Sequence, residues 1–189
     1  MPVKQITAPT SEPITLAEAK AQVRVTSSGE DTVFTKLISD AREFCESNTG
    51  LSLMPQTWEV ALDDFADEMW LYHPPVTSIT SIKYTDVDGV EQTLASTEYV
   101  LDASSDMKAR VVLAVDKEWP DVYTGINNVR IRYVAGYANA AAVPNQLKRW
   151  MLVHIADWFK NRDSLVIGTI NSRIDYFDHL LDRYKVWGL

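Results

Sequence analysis

The chain has 189 residues, 46% of them hydrophobic, with 18 Lys and Arg against 26 Asp and Glu and a formal net charge of -8. That is enough apolar material for a sizeable core, with about 70% of the extended chain's surface buried on folding. The negative balance excludes sequence-independent DNA binding, which draws its affinity from Lys and Arg on phosphates, and the single cysteine, Cys45, excludes a disulfide framework and a zinc site built on thiolates.

The opening "MPVKQITAPTSEPITLAEAK" holds no apolar run of signal-peptide length, and no stretch approaches the roughly 18 apolar residues of a membrane span. An intracellular, reducing compartment is the expectation. Thr15, with Glu18 three residues on, reads as a capping box that opens a short helix, "LAEAKAQVRV". Ser28 to Asp31 open a second helix with Val33, Phe34, Leu37, Ile38, Ala41, Phe44 and Cys45 at helical spacing. Gly50 stands where a left-handed C-cap residue is wanted.

From Gln56 the period changes to two, with Trp58, Val60 and Leu62 on one side of a strand. Short runs follow at 69–72, 79–84, 91–94, 99–101, 110–115 and 129–135, separated by Pro74-Pro75, Asp88-Gly89, Trp119-Pro120 and Gly125. Within "SIKYTDVDGVEQTL", a calcium loop with Gly89 at its sixth position would put Tyr84 at its first position and Ala95 at its twelfth, where the bidentate carboxylate is missing. Asp88-Gly89 is instead expected to be the corner of a hairpin.

Pro144 marks a return to helix, with Leu147, Trp150, Met151, His154, Ile155, Trp158 and Phe159 on one face. The pattern breaks at "RDSLVIGTIN" and resumes in a last helix carrying Ile174, Phe177, Leu181 and Tyr184. The expected fold class is α+β, a single domain over 1–189. N- and C-terminal helices (14–50 and 144–187) form a helical core, and an antiparallel β-rich insertion (56–135) lies between them.

Chemistry-bearing residues are sparse. His73, His154 and His179 are too scattered for a metal site. His154 and Asp157 are one helical turn apart with Ser164 nearby, but no Gly-x-Ser-x-Gly elbow presents the serine and His154 lies in the apolar stripe. Asp63, Asp64, Asp67 and Glu68 crowd "LDDFADEMW", as loops between strands often do for local backbone hydrogen bonding. Gly136 stands alone, so no phosphate loop is present. Charge is unevenly spread: residues 56–126 hold 14 acidic against 4 basic residues, and 127–162 hold six basic residues against Asp157 alone. Complementary faces on neighbouring subunits would use such a split. Three functions remain open on these grounds: a structural adaptor, a small metal-dependent hydrolase using His154, Asp157 and the acidic loop, and a monomeric β-sandwich binding module.

The succession of features narrows the choice. "ITLAEAKAQVRV", Glu30-Asp31, "LISDAREFCESNTGLSLMPQTWEV", "LYHPPVTSITSIKYTDVDGVEQTL", "EYVLD", Trp119-Pro120, "VRIRYVAGY" and "VPNQLKRWMLVHIADWFKNRD" resemble, in order and spacing, the head-tail connector family of tailed bacteriophages and prophages, from about Ile14 to Asp163. The resemblance implies a structural, non-enzymatic head completion or adaptor protein without a cofactor. It implies a homo-oligomeric ring, typically of twelve subunits, between the portal protein and the head-tail stopper or tail completion protein. Such a protein is made in the host cytoplasm and resides in the virion at the head-tail junction. DNA passes through the ring without specific binding, and carboxylates such as Asp63, Asp64, Asp67 and Glu68 would suit a lumen that repels the duplex. Leu165, Val166, Ile167 and Ile170, apolar in a stretch that interrupts helical periodicity, and Trp187 and Leu189 near the terminus are the candidate subunit or partner contacts.

Overall fold

The computed structural model describes residues 2–161 and 175–186, with side chains from 179 onward in the last helix. The chain divides into two compact units, each assembled from separate stretches. One comprises Met1–Thr10, Pro55–Tyr137 and Val186–Leu189; the other comprises Ser11–Met54 and Ala138–Lys185. No helix among the described residues is long and apolar enough to cross a membrane.

The first unit is built from strands β1 (Val3–Thr7), β2 (Gln56–Leu62), β3 (Glu68–Leu71), β4 (Val76–Thr85), β5 (Glu91–Leu94), β6 (Tyr99–Ser105), β7 (Lys108–Leu113) and β8 (Val129–Ala135). They form a five-stranded sheet ordered β1-β2-β8-β4-β5 and a three-stranded sheet ordered β3-β7-β6, with every pairing antiparallel. Each strand expected from the period-two runs forms. β1 is an addition: "VKQIT" is too short to announce itself, and its partner β2 lies beyond the first two helices.

Inward residues of both sheets share one core, including Val60, Met69, Leu71, Ile82, Val111, Val129, Ile131 and Tyr133. This is the sandwich solution to two half-apolar sheets. Tyr133 carries a hydroxyl into that core and satisfies it on the far sheet's chain: it donates to the Tyr72 carbonyl at 2.9 Å and accepts from the Tyr72 amide at 3.2 Å. Burial pushes the phenol's pKa up, so it remains a donor throughout the accessible pH range.

The expected hairpin is present between β4 and β5. Gly89 N donates to the Asp86 carbonyl at 2.9 Å, and Gly89 has φ +80, the left-handed conformation glycine adopts at no steric cost. Asp86 N donates to the Val90 carbonyl at 2.9 Å, so the loop is a β-turn closed by a left-handed glycine, one residue longer than the tightest hairpins.

The second unit contains α1 (Leu16–Val23), α2 (Asp31–Thr49), α3 (Asn145–Lys160) and α4 (Asp175–Asp182). Thr15 and Glu18 form the capping box, with Thr15 Oγ1 accepting from Glu18 N at 3.2 Å and Glu18 accepting from Thr15 N at 2.7 Å. Gly50 ends α2 at φ +76, its amide bonded to the Glu46 carbonyl at 2.8 Å. α2 buries Phe34, Ile38, Ala41 and Cys45, and α3 buries Leu147, Trp150, Met151 and Ile155. The two helices meet through rings, Phe34 stacking on Phe159 at 4.5 Å and Phe44 on Trp150 at 5.3 Å. Burial pushes the Cys45 thiol up to about 12, too high for a reactive thiolate.

A charged side chain organises this unit. Arg42 is buried, and its Nε donates to Glu12 at 2.8 Å, its Nη1 to Glu46 at 2.9 Å and its Nη2 to Ser39 at 3.4 Å. Glu46 in turn accepts from the Leu53 amide at 2.7 Å. Desolvation works against the guanidinium's charge, but the carboxylates of Glu12 and Glu46 outweigh it and the pKa is raised. The segment before α1 and the segment after α2 are thereby tied to the middle of α2.

Arg42→Ala is expected to cost about 3 kcal/mol, because it leaves two carboxylates without their cation. Urea unfolding followed by the helical circular-dichroism signal measures this. Adding Glu12→Gln and Glu46→Gln should recover part of the loss; a fully stable Arg42→Ala would show that the cluster is solvent-compensated.

Candidate functional site

The enzymatic alternative depends on His154 and Asp157 acting together, and the structure gives each of them another partner. His154 Nδ1 lies 3.0 Å from the Trp150 carbonyl one turn back, which can only accept, so that nitrogen carries the proton. The ring lies 3.8 Å from Trp150 and packs against Phe44 and Trp158. Asp157 accepts from Asn161 Nδ2 at 2.8 Å instead. Ser164 lies outside the described residues. No group of three or more His, Cys, Asp or Glu side chains among the described residues is arranged to hold a metal. His179 pairs with Asp182 at 2.9 Å, and His73 stacks on Trp58 at 3.9 Å.

The acidic loop between β2 and β3 has structural uses for three of its four carboxylates. Asp63 Oδ1 accepts from Asn127 N at 2.9 Å, Asp64 Oδ1 accepts from Phe65 N at 2.7 Å, and Glu68 pairs with Arg110 across β3 and β7. Asp67 is exposed. The contact from Asp63 reaches a long connection, 114–128, that leads from β7 to β8. Asn128, itself buried, donates from Nδ2 to the Tyr123 carbonyl at 2.6 Å and holds that connection in shape. Tyr123 N donates to the Thr85 carbonyl at 2.9 Å, Asp86 bridges to Val122, and Phe65 stacks on Trp119 at 4.8 Å. Three connections, 63–67, 86–90 and 114–128, are therefore fastened together at one end of the sandwich.

Asp86 is the anchor of the hairpin in this group. Its Oδ2 accepts from Gln92 at 2.8 Å and its Oδ1 from the amides of Val90 at 2.9 Å and Asp88 at 3.1 Å. The bonds from Gln92 and then from the Val90 amide hold its pKa below the ordinary carboxylate value.

The outer face of the larger sheet is, by contrast, neutralised strand to strand. Glu59 and Arg132 stand opposite each other on β2 and β8 and pair at 2.7 Å. Lys83 and Arg130, opposite each other on β4 and β8, would repel, but Glu91 on β5 bonds both, Lys83 at 2.7 Å. The bond from Lys83 leads in lowering the Glu91 pKa. Two of the six basic residues in 127–162 are thus paired within the chain.

The candidate contact residues Leu165, Val166, Ile167, Ile170, Trp187 and Leu189 lie outside the described residues. Sequence reading missed another set: Val87, Val90, Val115, Tyr123 and Ile126, apolar residues in the fastened connections. The signal was available, since β-branched side chains are out of place in turns, but nothing local says that the three connections share one end.

His154→Ala is expected to lower stability by about 1–2 kcal/mol through lost ring packing and the carbonyl bond, with helix content retained at low denaturant. Unchanged unfolding would place the ring outside the fold's support. The folded pKa values of Asp86, Glu91 and Asp102 are lowered, the last chiefly by the Ser104 hydroxyl. Their stabilisation is therefore present above the unfolded carboxylate pKa of about 4 and is lost as pH falls through the lowered values. Carboxyl NMR titration should find all three midpoints below the ordinary carboxylate value of about 4.

No family model matches the sequence, and no curated protein does. Solved structures do. A chain of the neck of an empty gene transfer agent particle, solved with C6 symmetry, aligns at TM-score 0.81 with 21% identity, over 100% of this chain and 97% of that one. A chain of the native gene transfer agent virion aligns at 0.78 with 22% identity, and one of the native neck, solved with C12 symmetry, at 0.78 with 20%, both with the same coverage. Gene transfer agents are phage-like particles, so this likeness supports the head-tail connector resemblance. The chain has, over its whole length, the fold of a neck component of a phage-like particle.

Proposed function

We propose that the chain is a structural head-tail connector, or adaptor, of a tailed phage, prophage or phage-like particle, and not an enzyme. The observation that carries the reading is the full-length likeness to a neck chain at TM-score 0.81, with nothing substantial left over on either side. In this reading the helical unit is the connector core, the sandwich is an insertion in it, and the two work as one connector domain. Twelve copies form a ring between the portal and the stopper or tail completion protein, in keeping with the C12 symmetry of a similar neck. The subunit is made in the host cytoplasm and ends in the virion.

The net charge of -8 suits a ring through which DNA slides, because cations lining the passage would grip phosphates while carboxylates repel them. All four residues of the acidic cluster are exposed, and Asp67 is the member best placed for that role, because Asp63, Asp64 and Glu68 already serve the fold. On sequence grounds Leu165, Val166, Ile167 and Ile170, with Trp187 and Leu189, are proposed as the contacts with a neighbour or partner.

Native mass spectrometry over a concentration series, alone and with portal, tests the reading. Rings or partial rings are expected, and Val166→Ser with Ile167→Ser should abolish them at an unchanged melting temperature. Monomer at every concentration, portal included, would overturn the connector assignment.

A further inference from the structure

The fastened end of the sandwich has a composition that neither fold nor solubility requires. Val115 is 86% exposed there, Ile126 79%, Val87 60%, Val90 54% and Tyr123 51%. These are five of the nine large apolar side chains exposed among the described residues, and all stand on connections joined to one another. Val87 occupies a central position of the β4–β5 turn, and Ile126 lies between Gly125 and the left-handed Asn127. Water-facing turns favour Gly, Asn, Asp and Ser. Apolar side chains gathered on joined connections, and left to water there, mark an interaction surface.

Its surroundings are strongly negative. Residues 63–67, 86–90 and 114–128 contain eight carboxylates and one lysine, nearly the whole chain's net charge of -8. That lysine, Lys117, is itself paired with Glu98 at 3.0 Å. The connections are also held before any partner arrives: Asp86 accepts three hydrogen bonds, Asp63 holds Asn127, and the buried Asn128 amide holds Tyr123. Little ordering cost remains for binding.

Charge decides the occupant. Two such ends would repel each other, so the patch does not meet itself on a second copy. The helical unit of a second copy is nearly balanced, with 12 acidic and 11 basic residues in 11–54 and 138–185, and offers no strongly basic counterpart. Duplex DNA is repelled outright. We propose that the end of the sandwich bearing Val87, Val90, Val115, Tyr123 and Ile126 docks on a basic, apolar-pitted face of a different protein of the same particle. The apolar tips enter recesses and the surrounding carboxylates meet Lys and Arg. This rests on the neck reading only for the particle in which the partner is found.

The test places a photo-crosslinking amino acid at Val87 or at Ile126 of the full chain within assembled particles, with Ser81, on the larger sheet, as control. Crosslinks from the two tips to one non-self particle protein, at peptides rich in Lys and Arg, are expected, and none from Ser81. In parallel, Val87→Ser with Ile126→Ser should lower the chain's occupancy in particles by about tenfold or more at an unchanged melting curve. Asp116→Asn with Asp121→Asn should flatten the salt dependence of retention. Tip crosslinks to another copy of this chain, or to DNA, overturn the proposal. So does an absence of tip crosslinks with wild-type occupancy of the serine variant, which leaves the neck reading standing. A wild-type chain never recovered in particles overturns the neck reading, and the surface with it.

Discussion

The β unit hangs on strand β8. Its side chains alternate without exception, Val129, Ile131, Tyr133 and Ala135 buried and Arg130, Arg132 and Val134 partly exposed, and it pairs with β2 on one side and β4 on the other. A slip of one residue would turn Arg130 and Arg132 into the core and take Tyr133 out of it. Because both neighbours take their register from β8, the same slip would misplace Val60 and Ile82 as well. The Tyr133 hydroxyl adds a fixed length to this arrangement, since it must reach both polar groups of Tyr72, on the chain leaving the other sheet. A buried phenol short of those partners would carry an unmet desolvation cost.

With the register fixed, the outward residues of β8 are placed too. Arg132 falls opposite Glu59 and Arg130 falls within reach of Glu91, so the broad outer face of the larger sheet neutralises itself. The negative charge left over gathers where strands end. Natural sheets leave their broad faces either covered or charge-paired, and recognition concentrates in connections carried on a rigid scaffold. This chain follows that division: the faces are spent on folding, and the connections keep side chains the fold does not use.

What the sequence made legible was local. Thr15 with Glu18, Gly50 after α2, and Asp86 to Gly89 each act within a few residues, so their geometry is written in neighbouring letters. Alternation in β2 and β8 was readable for the same reason, because burial on one face imposes period two whatever the topology. Arg42 was not readable: it sits on the apolar side of α2, and only the folded chain brings Glu12 to it. Nor was β1, five residues whose strand identity comes from a distant partner. The acidic loop was seen as a cluster, yet its division of labour depended on Asn127 and Arg110, each more than forty positions away. His154 was legible because the stripe around it fixed its surroundings, and its contacts with Trp150 and Trp158 follow from helical spacing alone, while that with Phe44 comes from α2.

The interleaving of the two units bears on how the protein comes off the ribosome. β1 is synthesised before its partner and has nothing to pair with until α1 and α2 have been made and β2 follows them. The sandwich can close once β8 is out, at Ala135, when only the first half of the helical unit exists. α2 therefore waits, with Phe34 and Phe44 lacking the aromatic partners α3 will bring. Chain order therefore predicts a nascent stage with all eight strands made and the helical unit open, which would expose apolar surface of the kind chaperones hold. Synthesis of α3 and α4 supplies the missing partners.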